Sequence, residues 1–119
     1  MPEDKKGKRK LLRKQEQSRF DPADVVIPKR LGGGSLKEYV VFDAMTKEVI
    51  HYSFAYINPL IFGGDNGRVL GYDNSHGNHH KHFLGNITPE PFSSLEAHRS
   101  KFNNEWYEIA VKFVNGDPI

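Results

Sequence analysis

The sequence predicts an α+β domain: a small antiparallel β-sheet of three or more strands in a meander, with a C-terminal helix packed on one face and a basic N-terminal arm ahead of it. Three observations carry this. Runs rich in aromatic and β-branched residues lie between 36 and 73, broken by turn residues. A single apolar stripe at three- and four-residue steps occupies 95–113. Residues 1–20 hold eight Lys and Arg against three acidic residues, while the remainder holds nine against twelve, so the basic character belongs to an arm on a mildly acidic body.

In chain order, residues 1–20 form the arm, with Leu11, Leu12 and Phe20 as its large apolar groups after the start methionine. Its composition allows a helix over roughly 9–19, and its charge suits a polyanion as well as a solvated terminus. Residues 21–35 read as a connector, interrupted by Pro22 and Pro28, with a short edge strand at Val25–Ile27. The triple glycine 32–34 lacks the Gly-x-x-x-x-Gly-Lys-Ser/Thr spacing of a phosphate loop. The domain proper is 36–119. A first strand is expected over Leu36–Met45 and a second over Val49–Phe62, where Ile50, Tyr52, Phe54 and Tyr56 make one face aromatic. Pro59 marks an edge or bulge. Asn66-Gly67 turns the chain into a third strand, Arg68–Asp73, with Tyr72, Leu70 and Arg68 expected on one face and Asp73 on the other. The final helix is expected to start from a capping box, Ser93 to Glu96, and to end at Asn115-Gly116. Its stripe of Leu95, His98, Phe102, Trp106, Ile109, Ala110 and Phe113 covers the aromatic sheet face. Trp106 is expected in the core, His98 partly buried, and His51 packed or at an edge.

Composition closes several routes. The chain has no cysteine, which excludes a disulfide framework and a thiolate metal site. No apolar run approaches the roughly 20 residues that span a bilayer, and the N-terminus lacks the apolar stretch of a secretory signal, so a soluble cytoplasmic protein is expected. A mean hydropathy of −0.64 limits the size of the core.

The chemistry is concentrated in 71–82, Gly-Tyr-Asp-Asn-Ser-His-Gly-Asn-His-His-Lys-His, which holds four of the six histidines. Idle loops rarely carry so many groups that titrate near neutrality. His80 and His82 are two apart, so on an extended segment they point the same way, with Lys81 opposed. Two imidazoles serve RNA cleavage as a base for the 2′-hydroxyl and an acid for the departing 5′-oxygen. We expect His80 and His82 in these roles, unassigned between them, with Asp73 orienting a ring and Lys81 or Arg68 stabilising the phosphorane. Tyr72, Asn74, Arg68 and His76 are the expected substrate contacts. No cofactor is expected. A divalent metal at His76, His79, His80 and His82 is the alternative, and solvent-facing loop histidines are the plain structural one.

Together, Gly71-Tyr72-Asp73-Asn74, Gly77 and His80-Lys81-His82 resemble the Gly-Tyr-Asp-Asn … Gly … His-Arg-His signature of the TumE-like toxin family, small proteins encoded beside a helix-turn-helix antitoxin. The aromatic strand to Tyr56, the approach Arg68-Val69-Leu70 and the helix after Pro91-Phe92 also match, so the resemblance covers roughly 36–115. Lys81 stands where the family has arginine, which keeps the charge and loses the planar fork. His76 and His79 are additional. The resemblance implies the toxin of a type II toxin–antitoxin system with that antitoxin as partner. Many toxins of this size are ribonucleases, which agrees with the histidine pair and makes RNA the expected substrate. A non-catalytic nucleic-acid-binding or regulatory module is the alternative. Oligomeric state is not specified by the sequence.

Overall fold

The computed structural model describes residues 16–119. Among these residues, seven strands form one antiparallel sheet: β1 Gln17–Phe20, β2 Val25–Val26, β3 Ser35–Asp43, β4 Val49–Ile57, β5 Arg68–Asp73, β6 His80–Phe83 and β7 Asn86–Pro89. The order is β1-β3-β4-β5-β6-β7, with β2 also on β3, and a helix, α1, runs from Leu95 to Asn115. The α+β class, the meander and the C-terminal helix are as the sequence predicts.

β4 supplies the core. Tyr52, Phe54 and Tyr56 are almost wholly buried, together with Val40, Leu70 and Tyr72 from the flanking strands. Phe102, Ile109 and Ala110 of α1 close over them. Phe54 packs on Phe102 with ring centroids 5.7 Å apart. Fully burying each such ring is worth about 1.5–3 kcal/mol, which is why this face and no other takes the helix.

Several boundaries differ from expectation for identifiable reasons. The second strand stops at Ile57, five residues short of Phe62, because buried Asn58 starts a turn: its Nδ2 donates to Gly32 O and its Oδ1 accepts from Leu60 N. The triple glycine serves this packing. A Cβ on Gly34 would lie 2.4 Å from Ile57 O, and one on Gly32 would lie 2.9 Å from Ala110 Cβ. Ser94, not Ser93, caps α1 and accepts from Ala97 N at 3.0 Å, so no capping box to Glu96 forms. Both serines offer the same oxygen, and the sequence does not choose between them. Gly116 ends α1 in the left-handed conformation, as read. Trp106 is only half-buried, tilted against Tyr56 at the rim of the core, whereas His98 is fully inside.

The arm differs most. Residues 1–15 and most of the expected 9–19 helix lie outside the described residues. The end of the arm is not helical: Gln17–Phe20 pairs with Asp43–Val40 as an edge strand, and Arg19 lies 4.1 Å over the Tyr39 ring. The histidine segment also contributes more sheet than expected. Its last three residues begin β6, which turns through Leu84-Gly85, both at positive φ, into β7.

Candidate active site

The register of β5 against β6 decides which residues meet. Asp73 stands opposite His80, Tyr72 opposite Lys81 and Gly71 opposite His82. Directly opposed residues of an antiparallel pair share a face. His80, His82 and Asp73 therefore lie on the face away from α1, and Tyr72 and Lys81 lie under it.

On the far face the side chains converge on one carboxylate. His82 Nε2 is 2.7 Å from Asp73 Oδ2, and His80 Nδ1 is 3.6 Å from Asp73 Oδ1. The two rings are 6.2 Å apart and inclined at 59°. Arg68 completes the group: its Nη2 is 3.1 Å from His82 Nδ1 and its Nη1 is 3.9 Å from Asp73 Oδ2. A guanidinium only donates, so His82 Nδ1 accepts and the ring proton sits on Nε2, facing Asp73. No described residue hydrogen-bonds Nε2 of His80, whose side chain keeps about a quarter of its exposure (24%).

Asp73 is built to stay ionised. Burial pushes its carboxyl upward, but the Ser75 amide at 3.0 Å and the facing His82 outweigh this and hold it below its ordinary value. Asp65 in turn grips Arg68 through two bonds, at 2.8 and 3.1 Å.

Strict alternation would put Arg68 on the face of Tyr72. A register shift between Tyr56 and Ile57 brings it to the other side, the re-aiming that a bulge produces. Its stem then crosses Gly71, where a Cβ would meet Arg68 Cδ at 2.8 Å. Gly71 is the gap through which the arginine reaches the histidines.

Four expected site residues are elsewhere. Tyr72 is fully buried and its hydroxyl donates to Glu105 at 2.6 Å, so it meets no substrate. Lys81 reaches the same Glu105 at 3.2 Å and is separated from the imidazoles by the sheet. Asn74 spends its amide on β4: Oδ1 accepts from Tyr52 N at 3.0 Å and from His51 Nδ1 at 2.9 Å, and Nδ2 donates to Ile50 O at 3.0 Å. It pins the loop after β5 instead of holding a ligand. His76 sits exposed in the turn Ser75–Gly77 at positive φ.

His79 faces the helix side. Its Nδ1 is 2.8 Å from Tyr52 Oη and its ring stacks on Phe92 at 4.5 Å. The same hydroxyl is 3.1 Å from His98 Nε2, so one phenol bridges two imidazoles. Burial holds His98 below its ordinary value and raises Tyr52 far above its own. His79 thus lies on the other face of the sheet from His80 and His82, and among the described residues no cluster of three or more His, Asp or Glu is arranged for a metal ion. Sequence reasoning missed Asp65 and this Tyr52 bridge. The i, i+3 spacing of Asp65 to Arg68 was a usable signal for the first; the second depends on tertiary packing alone.

No helix among the described residues is long and apolar enough to cross a membrane. A family model described as Toxin TumE matches residues 8–110. No curated protein and no solved structure matches the chain.

Proposed function

The chain belongs to the TumE toxin family and so acts as a toxin held in check by an antitoxin partner, and on that premise we propose that it is a metal-independent ribonuclease. It cuts cellular RNA in the cytoplasm until a helix-turn-helix antitoxin, encoded nearby, neutralises it.

The observation that carries the proposal is the convergence of two imidazoles and a guanidinium on Asp73. His80 has the less engaged ring and takes the 2′-hydroxyl proton through Nε2. Arg68 leaves His82 Nδ1 for the phosphate oxygens, where preorganised positive charge stabilises the phosphorane. That movement frees His82 Nδ1 to accept a proton from solvent. The resulting imidazolium, steadied at Nε2 by Asp73, protonates the departing 5′-oxygen. The products are a 2′,3′-cyclic phosphate and a 5′-hydroxyl. Arg68 thus links arrival of the phosphate to arming of the acid.

The test is purified protein with RNA, with and without chelator, beside His80→Ala and His82→Ala. Cleavage that survives chelator and is lost in both variants, with folding intact, is expected. Full growth inhibition by both variants removes the catalytic reading and leaves a binding module. Cleavage abolished by chelator in the unmutated protein makes the nuclease metal-dependent.

A further inference from the structure

A groove of about 540 Å³ lies between the approach to β6 and the chain from β7 toward α1, and of its lining only His80 takes part in the proposed chemistry. His80 forms one wall. His79 and Phe92, stacked face to face at 4.5 Å, form another. Asn78 and Thr88 supply an amide and a hydroxyl, both exposed, and Glu90 contributes a buried carboxylate paired with Lys101.

This lining selects by chemistry. No lysine or arginine lines the groove and a carboxylate does, so a phosphate is disfavoured there. What fits is flat, uncharged and apolar on its faces, with donors and acceptors at its edge. Unstacked RNA bases are recognised in this manner, by stacking on Phe, Tyr, Trp or His and by hydrogen bonds at the edge. His79 is fixed for the purpose, because Tyr52 holds Nδ1 at 2.8 Å and leaves Nε2 to meet a base. The groove volume falls in the range of small-ligand sites.

We infer that this groove is a nucleobase subsite that seats the base flanking the scissile phosphate beside His80 and sets the sequence preference of cleavage. The inference rests on the ribonuclease reading and assigns a specificity role to Phe92, His79 and Thr88. The proton steps stay with His80 and His82.

The experiment uses the full chain in two arms. In the first, the unmutated protein, Phe92→Ala and Thr88→Val cleave short RNA oligonucleotides that vary one base, or carry an abasic nucleotide, beside the cut. In the second, His80→Ala, alone and combined with Phe92→Ala, binds the same oligonucleotides without turnover. Expected are a base preference lost in the abasic substrate, flattened in both single variants, and a KM raised roughly tenfold by Phe92→Ala with kcat little changed, the scale of one lost base–aromatic stack. Thr88→Val touches an exposed position, so it and the abasic substrate decide the matter if Phe92→Ala fails to fold. Cleavage by the unmutated protein that ignores the flanking base and both variants overturns the subsite and leaves the nuclease. Base-dependent binding without cleavage overturns the nuclease and keeps the subsite. Neither cleavage nor base-dependent binding overturns both.

Discussion

His82 Nε2 lies 2.7 Å from Asp73 Oδ2, which fixes both the tautomer and the plane of the ring. An amide in place of the carboxylate keeps the shape and still offers an oxygen to Ser75 N, but it no longer supports an imidazolium. Asp73→Asn is therefore expected to lower kcat on RNA by about 10²–10⁴-fold, as replacement of an orienting carboxylate does elsewhere, and to abolish growth inhibition. Thermal unfolding followed by circular dichroism should show a folded protein. Unimpaired turnover would mean that the histidines need no orienting anion.

Arg68 and Lys81 separate by face, and their variants should separate by effect. Lys81 is engaged with Glu105 under the helix, a partly exposed pair of the kind worth about 0–1 kcal/mol. Lys81→Ala should leave cleavage within about twofold and shift the unfolding midpoint slightly. Arg68→Ala should cost about 10²–10³-fold in kcat, the scale of a lost transition-state donor. Arg68→Lys should recover only part, since a point charge replaces the fork. A reversed order would put the cation under the helix.

Gly71 offers an indirect way to move the same guanidinium. A methyl group there meets Arg68 Cδ at 2.8 Å, and the flexible arginine has to yield. Gly71→Ala should resemble Arg68→Ala in kcat while costing less stability than a typical core substitution. Equal activity to the unmutated protein would show that Arg68 has another route to the histidines.

These positions mark where local sequence rules held and where they ended. The opposition of Lys81 to His80 and His82 follows from strand alternation and was legible, as were the sheet, its aromatic face and the helix stripe. Arg68 was misplaced because the shift at Tyr56/Ile57 comes with the turn closed by Asn58 N and Gly67 O at 2.8 Å, which alternation cannot register. Tyr72 and Asn74 read as ligand groups because a phenol and an amide suit phosphate and base alike. Their actual partners, Glu105 and the backbone of β4, lie 33 and about 22–24 positions away. The His79–Tyr52–His98 bridge joins β4, α1 and the loop before β6, and no spacing announces it.

That bridge predicts a pH dependence of stability. Burial is the largest influence on His98 and lowers it, and His79 and Lys101 lower it further, against Glu90 and Glu105. The unfolded chain then takes up a proton near the ordinary value of 6.5 and the folded chain does so only at lower pH. Stability from this residue is fully present above that value and declines as pH falls from 6.5 toward the folded value. The urea midpoint should drop between pH 7 and pH 5, and His98→Gln, which can still bond the Tyr52 hydroxyl, should flatten that slope. A midpoint unchanged across this range in the unmutated protein would show His98 accepting its proton inside the fold without cost.

The arm and β1 make different contributions, and two deletions distinguish them. Removing 1–15 takes away seven of the eight basic residues of the arm and leaves Gln17–Phe20 on the sheet. Removing 1–20 also strips β3 of its edge partner and takes Arg19 from the Tyr39 ring. The shorter deletion should keep the unfolding midpoint within a few degrees while reducing the salt dependence of RNA binding, because each lost phosphate contact lowers the slope of log K against log salt by about 0.7. The longer deletion should lose stability as well, since the side chains and backbone groups of β3 that β1 covers return to water. A shorter deletion that binds RNA with an unchanged salt slope would exclude the arm from phosphate contact. RNA affinity would then rest on the sheet face that holds Arg68 and the two histidines.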